Sequence, residues 1–341
     1  LIFFNNIYII LYILYILMDV AFNGKVLQLN KFDMEWLVKD SNGDYMNPRI
    51  AIIAKSGSGK SWVIRDILYY IRTIPCGTII APTDKMTGFY NDFFPLSFIY
   101  HEYIENIIPK VLRRQKRMLE KNKNRKEINK TPLDPRTFII MDDCMSTKHL
   151  WLKDPNVLTI FNEGRHYQLT FILSMQYSLG IQPELRSNFD FVFLLGEDFI
   201  NNRKKLYEHY AGMFPTRDIF DQVFLQVTNN YGCMVINNRL RSTDIKKKVF
   251  WYKAKKRKEF KVGGDKLYDY HTKNHDKDYN NKLADKIGLD DEYFSQDVNL
   301  ALPYFWMELS DPNKRKLANF IYNNSFGLNG ETKYSGGGFT S

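Results

Sequence analysis

The run Arg49-Ile50-Ala51-Ile52-Ile53-Ala54-Lys55-Ser56-Gly57-Ser58-Gly59-Lys60-Ser61-Trp62-Val63-Ile64-Arg65-Asp66-Ile67-Leu68 decides how this chain is read. It spells a short apolar strand, a glycine- and serine-rich loop, and the opening of an amphipathic helix. Polyphosphate oxygens need many donors at close range, and backbone N–H groups at a helix N-terminus supply them without bulky side chains. Ser56, Gly57, Ser58 and Gly59 form the loop, and the two glycines let the backbone come close. Lys60 is placed to reach the β- and γ-phosphates of a nucleoside triphosphate, and the Ser61 hydroxyl to hold Mg²⁺. Ala54 stands where the strict pattern has its first glycine; that position ends the strand and does not wrap the phosphates.

Hydrolysis of a bound nucleotide also needs a carboxylate for the metal and a group that orients or deprotonates water. The run Thr137-Phe138-Ile139-Ile140-Met141-Asp142-Asp143 supplies both, because acids at the C-terminal end of a buried parallel strand fall beside the phosphate loop. Asp142 is assigned to Mg²⁺, directly or through water, and Asp143 to the base. Alternatively, the pair caps the helix that comes next. Leu169 to Ser174 reads as a further buried strand, and Gln176 falls just past it, where it can sense the γ-phosphate or hold the attacking water; alternatively it is a Gln of a surface loop. Arg165 and Arg186 lie between predicted strands and are candidates to stabilise charge on the transferring phosphoryl group, from this subunit or a neighbour. Thr78 to Ala81 and Phe189 to Leu195 read as two more short buried strands. Apolar strands alternating with helices predict an α/β fold whose mostly parallel sheet is flanked by helices.

The length of 341 residues suits one main core with an appendage. Three scattered cysteines exclude a disulfide framework and show no metal-ligand spacing. Residues 1–17 are uncharged and, save for Asn5 and Asn6, apolar, but lack the basic flank and cleavage site of a signal peptide; they are read as an over-extended reading frame ahead of Met18 in preference to the alternative, a membrane anchor of marginal length. The ATPase-type domain is placed at 18–261. Residues 262–341 are read as a C-terminal arm, with a small helical appendage near Leu300 to Met307 and a flexible glycine-rich tail.

The net charge of +10 is concentrated. Pro109 to Lys130 holds ten basic and two acidic residues, and Lys246 to Lys261 nine basic and one acidic, so each carries +8 and the remainder is −6. In the first run Ile108, Val111, Leu112, Met118 and Leu119 recur at helical spacing, leaving the charge on the outer face. The second interleaves Phe250, Trp251, Tyr252 and Phe260. Both runs are read as nucleic-acid contacts, since clustered Lys and Arg bind phosphate backbones by counterion release.

The Ala54–Ser61 loop, the Asp142-Asp143 pair, the Gly164-Arg165-His166 segment, Gln176 and the Pro82-Thr83-Asp84-Lys85 run together resemble the genome-packaging ATPases of large DNA viruses. These are the poxvirus-type members of the FtsK/HerA superfamily of P-loop NTPases. The resemblance covers about 25–195 and, more weakly, continues to Lys261. It implies a RecA-like sheet, ATP and Mg²⁺ as cofactors, a homo-oligomeric ring closing each site with a neighbour's arginine, and translocation of double-stranded DNA into a capsid. It also implies a capsid, portal or membrane component of the virion as docking partner, and a place in the virion or at a cytoplasmic assembly site. Many relatives carry Glu where this chain has Asp143. The alternatives are a P-loop helicase or replication ATPase, and a nucleotide-gated DNA-binding assembly protein with little turnover.

Overall fold

Apolar runs of five to seven residues become the central strands because a parallel strand covered on both faces has no polar side to show. The computed structural model describes residues 20–22, 25–27, 29–177 and 180–275. The strands are β1 (Val20–Phe22), β2 (Lys25–Leu27), β3 (Asn30–Lys31), β4 (Arg49–Ile53), β5 (Cys76–Ile80), β6 (Ile99–Tyr100), β7 (Thr137–Asp142), β8 (Leu169–Met175), β9 (Phe191–Leu195), β10 (Gly232–Asn237) and β11 (Val249–Lys253). β1 and β2 pair antiparallel in a sheet of their own. The others form one nine-stranded sheet in the order β3-β11-β10-β9-β4-β8-β7-β5-β6. From β9 to β6 every pairing is parallel, as the sequence predicts, and only β10 runs against the rest.

The longer helices are α1 (Lys60–Ile71), α2 (Ile107–Glu127), α3 (Pro155–Glu163), α4 (Ile200–Tyr210) and α5 (Arg217–Thr228). Period-two alternation divides the strand side chains between two cores. Ala51, Ile53, Ile139, Met141, Phe171, Leu173, Val192 and Leu194 face the layer of α2 to α5. Ile50, Ile52, Phe138, Ile140, Ile172, Phe191 and Phe193 face α1, the turn at Met34–Leu37 and the aromatic segment Tyr90 to Phe94. No helix among the described residues is long and apolar enough to cross a membrane.

The second basic run departs from its reading. Val249–Lys253 is a strand of the main sheet, and Phe250 and Tyr252 are buried in the core instead of being displayed to a nucleic acid. The stretch after β11 is pinned to α1 through Asp66, which is fully buried. Its carboxylate accepts from the Tyr252 hydroxyl at 2.5 Å, the Lys255 backbone N–H at 2.9 Å and Arg257 Nε at 2.6 Å. The Arg257 guanidinium also lies 4.0 Å from the Tyr69 ring centroid. A buried carboxylate needs such a set of donors, and here it takes them from the basic segment.

Val262 and Leu267 pack into the same core, so the compact unit that the sequence reading closed at Lys261 runs on to Asp269. Residues 1–17, the cluster Leu300 to Met307 and the glycine-rich tail lie outside the described residues.

Close packing sets a sharp limit at Gly77 in β5, where an added Cβ would lie 2.2 Å from Phe138 Cζ. Gly77→Ala is expected to cost roughly 1–3 kcal/mol in denaturant unfolding, as overpacked core sites do, and adding Phe138→Leu should recover part of the loss.

Candidate nucleotide-binding and hydrolysis site

β4 ends at the loop and α1 begins at Lys60, with Gly59 as N-cap at φ +98° and Gly57 at φ +77°, conformations natural to glycine. No side chain caps α1, and its first turn carries no acidic residue. The positive end of the helix and its N–H groups therefore remain for an anion. The loop is shaped before any ligand arrives: Ser58 Oγ donates to the Lys55 carbonyl at 2.7 Å, and Ser58 N–H to the same oxygen at 3.3 Å. Ala54 is buried in the core and donates its N–H to the Met175 carbonyl at 2.9 Å, which explains why a small residue suffices there.

β8 lies between β4 and β7, so the acidic pair is one strand further from the loop than adjacent strands would put it. The long Lys60 side chain spans the gap. Its Nζ lies 3.1 Å from Asp142 Oδ1 and 3.8 Å from Asp143 Oδ2. Asp142 is 6% exposed and is fixed from two further directions. The Ser174 hydroxyl of β8 donates to Oδ1, and the Tyr90 hydroxyl donates to Oδ2 at 2.9 Å. Burial, then the Asp142 charge, push the Tyr90 phenol well above its ordinary pKa, so it stays a donor.

Asp143 takes a left-handed backbone, φ +57° and ψ +32°, which for a residue other than glycine is uncommon and is concentrated at functional sites. The turn directs its carboxylate to Gln176, whose Nε2 donates to both oxygens at 2.9 and 3.0 Å. Behind it, the buried Trp151 indole donates to the Cys144 carbonyl at 2.9 Å and anchors the chain leaving the site. The pair does not cap a helix through its side chains: the short helical turn after Asp143 has no side-chain cap.

A cleft of about 830 Å³ is lined by Lys55, Gly57, Gly59, Lys60, Ser61, Asp143 and Gln176 and, on its far wall, by Trp62, Tyr231, Lys253 and Lys256; Asp142 lies behind Lys60, 3.1 Å from its Nζ. Ser61 and Asp142 offer hard oxygen donors of the kind Mg²⁺ accepts, so the residues fit that ion. Ser174, Tyr90 and Tyr231 join the site only through the fold. Ser174 had a signal, a hydroxyl at the C-terminal end of a mostly apolar strand, next to the acidic strand's end in register; the other two had none.

Arg165 and Arg186 are not brought to this cleft. Arg165 sits where β4 and β9 begin, at the opposite edge of the sheet, paired with the buried Asp190 that also holds Arg49 Nε at 3.4 Å. Burial and the neighbouring Arg49 and Arg239 push its pKa down to about 10. Arg186 lies 5.8 Å from the Tyr210 ring centroid.

A family model described as the poxvirus A32 protein matches residues 30–202. Uncharacterized protein L437 of Acanthamoeba polyphaga mimivirus is 45% identical over 250 residues, covering 73% of this chain and 87% of its own length. Uncharacterized protein 088R of Invertebrate iridescent virus 3 is 33% identical over 234 residues, covering 67% and 85%. Among solved structures, the genome packaging NTPase B204 from Sulfolobus turreted icosahedral virus 2, in complex with ATP-gammaS, aligns at 15% identity and a TM-score of 0.42 over 60% of this chain and 96% of that one. That likeness of shape is too distant to bear on function, whereas the family model's match takes in both the glycine-rich loop and the acidic pair. On those matches, the chain belongs to the poxvirus A32 protein family.

Proposed function

We propose that this chain hydrolyses ATP and couples the hydrolysis to moving double-stranded DNA into a viral capsid. The observation that carries the reading is the convergence of Lys60, Asp142 and Asp143 beneath an uncapped helix N-terminus. In the free protein the Lys60 ammonium balances the two carboxylates. An entering triphosphate takes over that ammonium and the N–H groups of α1; Ser61 and Asp142 would hold Mg²⁺, which when bound would offset charge on the phosphoryl group. Asp143 then accepts the proton of the water whose oxygen attacks the γ-phosphorus, as the bond from that phosphorus to the β–γ bridging oxygen breaks. Gln176 holds the Asp143 carboxylate in register for this step. Tyr90 and Ser174 hold the Asp142 carboxylate in place beside Lys60.

Neither Arg165 nor Arg186 lines the cleft, so either would serve as a finger only from a neighbouring copy, which is what ring assembly would supply. The DNA contact assigned to α2 is supported by its burial pattern. Ile107, Ile108, Leu112 and Gln115 face inward, and Arg113, Lys116, Arg117, Lys121, Lys123 and Lys126 are exposed. The helix leads through a short return into β7, which ends at Asp142. A load on α2 thus has a direct covalent path to the hydrolysis site.

Lys60→Ala should lower turnover by roughly a hundredfold or more with the fold intact, and full activity in a steady-state phosphate-release assay would sink the loop assignment. Asp143→Asn tolerates the left-handed backbone, so it should still bind ATP while turnover falls about 10²–10⁴-fold. Double-stranded DNA should stimulate turnover more than single-stranded DNA; the reverse order would favour a helicase, and no turnover with either would favour a nucleotide-gated binding protein. Changing Lys116, Arg117 and Lys121 together to Glu should weaken duplex binding about tenfold or more near 0.15 M salt. It should also flatten the dependence of log K on log salt and leave DNA-independent hydrolysis unchanged.

A further inference from the structure

The phosphate-loop strand β4 divides the cleft into two flanks. On the side of β8 and β7 stand Gln176, Asp143 and Asp142. On the other side the reversal of β10 has a consequence: Cys233 of β10 pairs with Leu195 of β9, and Gly232 with Lys253 of β11, so the start of β10 and the end of β11 reach the same edge as the loop. Tyr231, Lys253, Ala254 and Lys256 therefore line the cleft opposite the acids, with Trp62 beside them from the first turn of α1.

Tyr231 is held there by a costly piece of backbone. Asn230 at φ +50° and Tyr231 at φ +60° are two successive left-handed residues, neither of them glycine. The next residue, Gly232, has no room for a Cβ, which would lie 2.1 Å from the Val227 carbonyl oxygen. The result is an aromatic ring left 67% exposed, with no ring or cation contact among the described residues. It stands over the loop: a Cβ placed on Gly59 would meet Tyr231 Cδ1 at 3.5 Å. Strain kept in the native state to display an apolar ring beside an anion site points to a ligand with both an anionic end and a flat apolar face.

We propose that Tyr231 is the platform on which the base of the bound nucleotide stacks. This rests on the reading that the loop holds a triphosphate. With the terminal phosphate directed to Asp142, Asp143 and Gln176, the nucleoside leaves by the opposite flank, where Tyr231 supplies a π-face. Stacking reads area and not hydrogen-bond pattern, so a purine gains more than a pyrimidine and inorganic tripolyphosphate gains nothing.

Calorimetric titration of the full chain with ATP, UTP and inorganic tripolyphosphate tests this. Tyr231→Asn removes the ring and keeps a residue that tolerates the left-handed backbone; Tyr231→Phe keeps the ring. Tyr231→Asn should weaken ATP binding roughly tenfold or more, weaken UTP less, and leave tripolyphosphate unchanged, while Tyr231→Phe matches the wild type. Unchanged ATP affinity in Tyr231→Asn, or equal losses for ATP and tripolyphosphate, would overturn the platform and leave the loop assignment standing. A wild-type protein that binds none of the three ligands would overturn the loop assignment, and the platform with it.

Discussion

The Asp142 carboxylate gathers the ends of three separate elements: Lys60 from α1, Ser174 from β8, and Tyr90 from the segment after β5. A buried negative charge is costly unless donors surround it, and each donor here comes from a part of the chain remote in sequence. Satisfying that one group fixes the spacing between the phosphate loop and the acidic strand. It also leaves the adjacent Asp143, on its left-handed turn, free to face the cleft with Gln176 at its side. The arrangement is possible only because β4, β8 and β7 are parallel and end together, so that all their C-terminal groups meet at one edge.

The second buried carboxylate, Asp66, does comparable work on the other flank. By taking Tyr252, Lys255 and Arg257, it ties the stretch after β11 to the helix that opens from the loop. The charge of that stretch is thus partly spent inside the fold and partly presented to the cleft as Lys253 and Lys256. The first basic run behaves differently. Its apolar stripe is buried in the core and most of its charges stay in solvent.

The same physics governs how much was legible. β4, β5, β7, β8 and β9 could be read because strands buried on both faces leave continuous apolar runs bounded by polar residues. β11 could not, because its apolar residues sit within a basic run whose charge dominates any local reading. The two-residue edge strands β3 and β6 are too short to leave a pattern. In the site, the loop and the acidic pair carried local signatures. Tyr90 and Tyr231 carried none, since the fold alone brings them beside Asp142 and Gly59, which lie 52 and 172 positions away in the chain.

By itself the sequence determined the phosphate loop, the helix opening from it, the acidic pair, the parallel character of the central sheet and the amphipathic α2. Each is a matter of residue type and short-range spacing. Only the tertiary structure decided that β8 stands between the loop and the acids, that Asp142 is held by Tyr90 and Ser174, that Arg165 lies at the far edge on Asp190, and that the reversal of β10 carries Tyr231 to the cleft. Strand order and the pairing of buried charges are settled by which surfaces can be covered and which carboxylates can find donors. Those choices involve the whole chain at once and leave no mark on any single stretch of it.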